Sequence, residues 1–435
     1  MFSSLSVRNF RIYWFGMFVS LIGTWIQVVA QSWLVFELTK SAFLLGVVGF
    51  LSSIPVFLLS LFGGVLADRR NKRNILIATQ TTFMFLAFLL AVLTQMKIIT
   101  PGEIMFIALL NGVVMAFDAP SRQAVVVELV GKDNLFNAIA LNSVAFNSSR
   151  IIGPALAGVL VAVIGMSGCF YLNGISFLAV IIALFLIHSA AFNPRHLGRG
   201  KNAPPSVSIL SKPRSLDGGV EGLIKTRNHS RGDKNNTALK DLKDGLIFVK
   251  NNRLILALIA VVGIVSLFGI AYVILMPIFA NEVLKVGARG LGVLMSSSGL
   301  GALAGALLLA RLGDFKYKGK LLFLSSMVFS LSLILFSLSK IYLLSIITLM
   351  FIGCSSVTAI AIINTILQTR VSDEYRGRVM SVFMLTFAGM MPFGNLISGS
   401  LAQAFGVSFA VLVNGIICTV FLAVINIAYP KIRNI

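Results

Sequence analysis

The stretch "GGVLADRRNKRNIL", residues 63–76, places five charges within six positions: Asp68, Arg69, Arg70, Lys72 and Arg73. The chain around it has 435 residues, of which only 12% are charged. On one side stands "FLSSIPVFLLSLF" (50–62) and on the other "FMFLAFLLAVL" (83–93). Each flank belongs to an apolar run of roughly 20 residues, enough for a helix to cross a hydrocarbon core of ~30 Å. A charged turn pinned between two such runs reads as a connection at a membrane surface.

The rest of the chain has the same character. It is 57% hydrophobic, with a mean hydropathy of +0.94, whereas a soluble domain is about 45–50% apolar. A water-facing surface cannot be built from this composition. Inside a bilayer the backbone must satisfy its own hydrogen bonds, so the long apolar runs predict an all-α polytopic membrane protein. "MFSSLSVRNFRIYW" has no short apolar core followed by a small-residue cleavage site, so the first apolar run reads as a retained span. Cys169, Cys354 and Cys418 lie far apart in apolar runs and read as small packing residues, with neither metal nor disulfide spacing.

Twelve transmembrane helices are expected, near 11–36, 43–67, 74–96, 103–120, 137–163, 168–190, 252–280, 287–312, 320–338, 341–367, 378–403 and 406–429. Residues 1–190 form an N-terminal six-helix bundle and 246–435 a C-terminal one. Between them, 191–245 is rich in Pro, Gly, Ser, Asn and bases and reads as a largely disordered linker. Its end, "LKDLKDGLIFVKNN" (239–252), has the pattern of a short amphipathic helix leading back to the membrane. The termini, the linker and the even-numbered connections hold 30 of the 36 Lys and Arg residues. The odd-numbered connections hold Lys40, Lys97, Lys285, Arg289 and Lys340, and Arg150 falls inside span five. By the positive-inside rule both termini and the linker are cytoplasmic. The net charge of +21 is then a topology signal, with the lipid bilayer and not nucleic acid as the partner.

The two halves repeat. At a shift of 246 residues Gly23 meets Gly269, "LGV" at 45–47 meets "LGV" at 291–293, and Asp68 meets Asp314. At a shift of 241, Gly153, Gly158 and Gly165 meet Gly394, Gly399 and Gly406, and Asn173-Gly174 meets Asn414-Gly415. A near-constant offset across six spans points to duplication. Two parallel six-helix pseudo-repeats place a substrate path at their mutual interface.

These features resemble the major facilitator superfamily over essentially the whole chain. Its signature between spans two and three, G-x-L-A-D-[RK]-x-G-[RK]-[RK], is matched by Gly64, Leu66, Ala67, Asp68, Arg69, Lys72 and Arg73. Asn71 stands where the family commonly has Gly, and Asn tolerates a left-handed turn better than most side chains. Gly64 is expected to allow close packing. "ARLGDFKYKGK" (310–320) is the weaker echo in the second half. The resemblance implies that Asp68 helps lock the outward-facing state, through local bases, an acid near the end of span four and the start of span eleven. The matching gate residues are Asp68, Arg69, Lys72, Arg73 and Asp118, with Arg122 close by in sequence and Asp314 as the repeat counterpart.

"RIIGPALAG" (150–158) resembles the superfamily's antiporter element G-x-x-x-G-P-x-x-[AG]-G, with Ser149 in place of the first Gly. Gly153 and Gly158 permit close helix approach, and Pro154 removes a backbone donor. Together with "FDAPSRQAVVVELVGKDNLFNAIALNS" (117–143) it is similar to a bacterial branch of proton-driven exporters that includes the enterobactin exporter and drug-efflux-like proteins. That implies a multi-pass transporter of the bacterial inner membrane, not an enzyme. It also implies a monomer that needs no cofactor beyond a proton gradient and exports a small amphipathic, siderophore-like or drug-like compound.

The residues themselves leave the mechanism open. Arg150 stands at membrane depth, where a base costs at least about 2.5–3.5 kcal/mol on insertion scales. It either meets an anionic substrate or a protonation event, or it pairs structurally with Asp118 or Glu128. Glu37, Asp68, Asp118, Glu128 and Asp314 are the carboxylates near the membrane or its gates, and none is in mid-span. His188, His196 and His229 fall at the end of span six and in the linker. Gln27 and Gln31 share a face of span one. With Asn142, Tyr272 and Asn364 they are the polar cavity candidates, each equally able to make an interhelical hydrogen bond. Such an uncharged lining favours an amphipathic, aromatic or neutral substrate. No G-x-x-x-x-G-K-[ST] phosphate loop occurs, which argues against an ATP-driven pump. A lipid or lysolipid translocator of the same fold and a non-transporting membrane sensor are the competing readings.

Overall fold

Long apolar segments entering hydrocarbon satisfy their backbone hydrogen bonds most simply as helices, and the chain does this throughout. The computed structural model describes residues 3–131, 134–187, 234–313 and 315–430, with no strand among them. The first half comprises α1 (Arg8–Thr39), α2 (Ala42–Arg69), α3 (Lys72–Gln95), α4 (Pro101–Val130) and α5 (Leu135–Leu186). The second comprises α7 (Arg253–Val283), α8 (Gly287–Leu312), α9 (Lys318–Leu338), α10 (Tyr342–Arg370), α11 (Asp373–Phe405) and α12 (Val407–Ala428). Between the halves lies α6 (Lys234–Asn251).

At 52 residues α5 is too long for one crossing, and it breaks at Gly165, whose φ of 74° and ψ of 176° leave the helical region. A residue without Cβ adopts that backbone readily. Its two limbs supply spans five and six, completing the twelve crossings expected from hydropathy. Their outer surface is apolar, with Phe85, Phe106, Phe185 and Ile427 each about 60–80% exposed, as lipid contact requires.

Within each bundle, small residues set the helix spacing. In the first, a Cβ on Gly16 of α1 meets the Ala179 carbonyl at 2.8 Å, and one on Gly112 of α4 meets the Ser52 carbonyl at 2.6 Å. In the second, Gly301 and Gly305 of α8 lie against the backbone of α10 at Met350 and Cys354. Asn173 and Asn414, equivalent in the repeat, both tie neighbouring helices. Asn173 donates to Gln27 Oε1 at 2.7 Å and Asn414 to Ser398 Oγ at 2.8 Å.

Three expectations change. Span four, expected to stop at Pro120, continues to Val130. The proline costs one backbone bond, and Asp118 beside it is satisfied by Thr79 and Gln80 of α3 and by Arg122 of α4 itself, so nothing ends the helix there. Asn71 is not left-handed: at φ −66° and ψ 115° it is the N-cap of α3, its side chain accepting from Arg73 N–H at 2.9 Å. Replacing Asn71 with Ala is expected to cost about 1 kcal/mol of stability, measured by chemical unfolding, with Asn71→Ser restoring most of it. The domain boundary expected at 245 falls inside α6, whose Asp244 and Phe248 meet Arg378 (3.5 Å) and the Tyr375 ring (4.5 Å) on α11. Asp314, the histidines at 188, 196 and 229, and linker residues 191–233 lie outside the described residues.

Candidate functional site

The connections that carry most of the bases all lie at one end of the helices, here termed the basic end; the α1–α2, α3–α4, α7–α8, α9–α10 and α11–α12 turns lie at the other. Away from the basic end the bundles touch through glycines. A Cβ on Gly399 of α11 meets the Ala42 carbonyl and Gly46 Cα of α2, both at 2.8 Å. A Cβ on Gly158 of α5 meets the Arg289 carbonyl of α8 at 3.0 Å, while Gly292 lies against Pro154 and Gly158. Gly46 and Gly292 are the same residue of the repeat, as are Gly399 and Gly158. One duplicated crossing therefore closes this end twice. Gly153 serves a different contact, facing the Cβ of Trp25 within the first bundle.

From there the interface can be followed toward the basic end. Between α2 and α11, Ser41 Oγ donates to Gln403 Oε1 at 2.8 Å, Phe50 meets Phe393 at 5.9 Å between ring centroids, and Phe57 covers Gly389. Between α5 and α8, Ser296 Oγ donates to the Ile151 carbonyl at 2.8 Å. One residue away on α5 and two on α8, Arg150 Nη2 reaches Ser298 Oγ at 3.5 Å, and Ser298 Oγ lies 3.0 Å from Tyr272 Oη. Beyond this level the bundles part. Gly64 on α2 and Gly377 on α11 face open space, and Asp68 is exposed. The result is a cleft open at the basic end, with Arg150, Ser298 and Tyr272 at its apex.

Local sequence explains that apex. Tyr272 follows a widened turn of α7 in which Ile270 N–H bonds to the Val265 carbonyl, five residues back. Such π-type turns re-aim the side chains beside them. On α5, Asn142, Phe146 and Arg150 recur every four residues and share one face. Phe146 meets Trp25 of α1 edge-on at 6.1 Å. Asn142 and Gln31 are half-buried. Asn364 accepts from Gln368 at 2.7 Å along α10. Gln27, expected in the cavity, is instead buried in the first bundle by its bond from Asn173, because two buried amides satisfy each other there.

The gate residues are placed differently from the expected network. Asp118 is fully buried between α3 and α4. It accepts from Thr79 Oγ1 at 2.7 Å and Gln80 Nε2 at 2.8 Å and pairs with Arg122, one turn along. Lys72 pairs with Glu128 at 2.6 Å, not with Asp68 or Asp118. Arg73 donates to the Leu184 carbonyl at 2.8 Å, pinning α3 to the second limb of α5. Among the described residues Asp68 makes no ion pair, and Arg69 is exposed beside it. A Cβ on Gly64 would meet nothing within 4 Å; the close approach to α4 is made by Gly63 against Ala116. Structural pairing of Arg150 with Asp118 or Glu128 is overturned, since both acids are already taken on other helices. Thr79, Gln80 and Ser298 were missed as partners; the polar "TQTT" (79–82) and "SSS" (296–298) within apolar runs were the available signal.

Comparison with known proteins agrees with this architecture. The family model described as transmembrane secretion effector matches residues 1–200 and 222–435. The staphyloferrin A transporter of Staphylococcus aureus is 28% identical over 415 residues, covering 94% of each chain. The enterobactin exporter of Shigella boydii is 24% identical over 373 residues, covering 85% of this chain and 79% of its own. In three dimensions, a bacterial homologue of the lysosomal transporter Spinster superposes with a TM-score of 0.68 at 13% identity over 98% of each chain.

Proposed function

Because the chain belongs to the transmembrane secretion effectors, an exporter branch of the major facilitator superfamily, we propose that it expels a small amphipathic, siderophore-like or drug-like compound by alternating access, driven by protons. The observation that carries the reading is the asymmetric closure of the bundle interface: sealed by the duplicated glycine crossing at one end, parted at the other, with polar groups from both bundles at the level between. The basic end is cytoplasmic on the positive-inside rule, which puts both termini and α6 in the cytoplasm and makes this an inward-open state. Substrate then enters from the cytoplasm, and export requires the basic end to close while the glycine crossings separate. The protein acts as a monomer in the bacterial inner membrane, since each chain holds a complete pair of bundles.

Asp68 gains a role in that second state. It ends α2 beside the cleft, exposed here, where closure carries it toward the start of α11. Carboxylates are favoured at helix N-termini, and more so where water is scarce. Asp118, buried in the first bundle, supplies the counter-charge of Arg122 there. Asp68→Asn is expected to lower turnover by roughly tenfold, about 1.4 kcal/mol, with expression and insertion unchanged. Unchanged turnover of the purified, reconstituted variant removes the gating role.

The reading is tested in proteoliposomes carrying an imposed pH gradient and challenged with ethidium and with 2,3-dihydroxybenzoate as probes. Gradient-dependent movement abolished by a protonophore is expected. Redistribution of labelled phospholipid in its place overturns it in favour of lipid translocation, and inactivity toward both classes favours a sensor.

A further inference from the structure

The ion pairs among the described residues join other bases to acids. Lys72 has Glu128, Arg122 has Asp118, Arg376 has Asp373, and Arg378 has Asp244. Arg150 is half-buried at the apex of the cleft and, among the described residues, has no acid. A guanidinium presents five N–H donors and no acceptor. One of them touches Ser298 Oγ, at the long limit of 3.5 Å. Ser298 and the buried Tyr272 add two hydroxyls that share one contact of 3.0 Å. The three side chains come from α5, α7 and α8, so the cluster straddles both bundles, and it is rich in donors with no negative charge to receive them.

Holding an uncompensated cation at membrane depth is unfavourable. The two acids that the sequence offers as structural partners, Asp118 and Glu128, are committed to Arg122 and Lys72. The charge is balanced when an oxyanion enters. The planar fork of arginine matches the two oxygens of a carboxylate, and flanking hydroxyls complete such a site. On the same face of α5, Phe146 with Trp25 offers an apolar wall one turn below for the remainder of the molecule.

We propose that Arg150, Ser298 and Tyr272 form an oxyanion-binding station, and that the compound carried is an organic carboxylate with an apolar or aromatic body. This sharpens the export reading and rests on it only in naming the bound compound as cargo. It narrows the expectation of an amphipathic, aromatic or neutral substrate, because among the described residues Arg150 pairs with no acid. Bound across α5 and α8, the carboxylate contacts both bundles at once, where a change in one is felt by the other.

The test measures thermal unfolding of the purified full-length protein in detergent with 2-naphthoate and citrate, each against its neutral amide. The acids are expected to raise the midpoint in a concentration-dependent way and the amides to have no effect. Arg150→Gln is expected to weaken the response at least about tenfold, Arg150→Lys to keep part of it, and Ser298→Ala to reduce it. Without ligand, Arg150→Gln unfolds at the same or a higher temperature, because an unpaired charge has been removed. Equal response to acid and amide, no response to either, an acid response that survives Arg150→Gln, or a lowered ligand-free midpoint of that variant each overturns the station. Loss of gradient-driven transport with acid binding intact sinks the export reading and leaves the station standing.

Discussion

Asp118→Asn is expected to unfold with about 3–5 kcal/mol less stability than the parent, the cost of breaking a buried pair from one side. The substitution preserves shape, and the amide oxygen still accepts from Thr79 or Gln80. What it removes is the charge opposite Arg122, whose Nε is already buried without a partner. The double variant Asp118→Asn with Arg122→Gln removes both charges and is expected to regain most of the loss, since replacing both members of a buried pair is often nearly neutral. Chemical unfolding of the two singles and the double forms a closed cycle. Additive losses show that the charges do not depend on one another and reject the pairing.

Gly399→Leu is expected to drive the closed end of the interface apart. Its Cβ meets the Ala42 carbonyl and Gly46 Cα at 2.8 Å, and these are backbone atoms that cannot rotate away. Overpacking costs about 1–3 kcal/mol, a shift of roughly 5–150-fold in the balance between closed and parted states. Cross-linking between Ser41→Cys and Gln403→Cys, whose parent side chains are hydrogen-bonded at 2.8 Å, reports it after the three native cysteines are replaced. The yield is expected to fall by that factor, and transport with it, because the inward-open state becomes hard to reach. Gly158→Leu, the repeat-equivalent change against α8, is expected to act alike, whereas Gly377→Leu points into open space and leaves the yield unchanged. Undiminished cross-linking in Gly399→Leu removes the crossing from the mechanism.

Much of the fold was legible residue by residue. Twelve apolar runs gave twelve crossings because a run of about 20 apolar residues satisfies its backbone hydrogen bonds in hydrocarbon as a helix. Gly165, singled out only as a repeated glycine, proved to be the break between spans five and six. Along the chain Pro120 with Asp118 and Arg122 looks like a terminus of span four, while in space Thr79 and Gln80 receive the acid and the helix runs on to Val130. Asn71 reads along the chain as a residue tolerant of a left-handed turn, yet it serves through its side chain as a cap. The candidate site was legible in part. Arg150 was flagged by its depth, whereas Ser298 and the emptiness around Asp68 have no local signature.

By itself the sequence determined the membrane class, the number of crossings, the duplication and the basic end, since these follow from local composition and periodicity. It also held both members of each glycine crossing, Gly46 with Gly399 and Gly292 with Gly158, as matched positions of a repeat. Only the tertiary structure decided that they face each other, that Arg122 and Lys72 take the acids, and that Arg150 is left unopposed between the bundles. Apart from Asp118 with Arg122, one helical turn apart, these contacts depend on which helix faces meet between distant parts of the chain, and no local pattern encodes that.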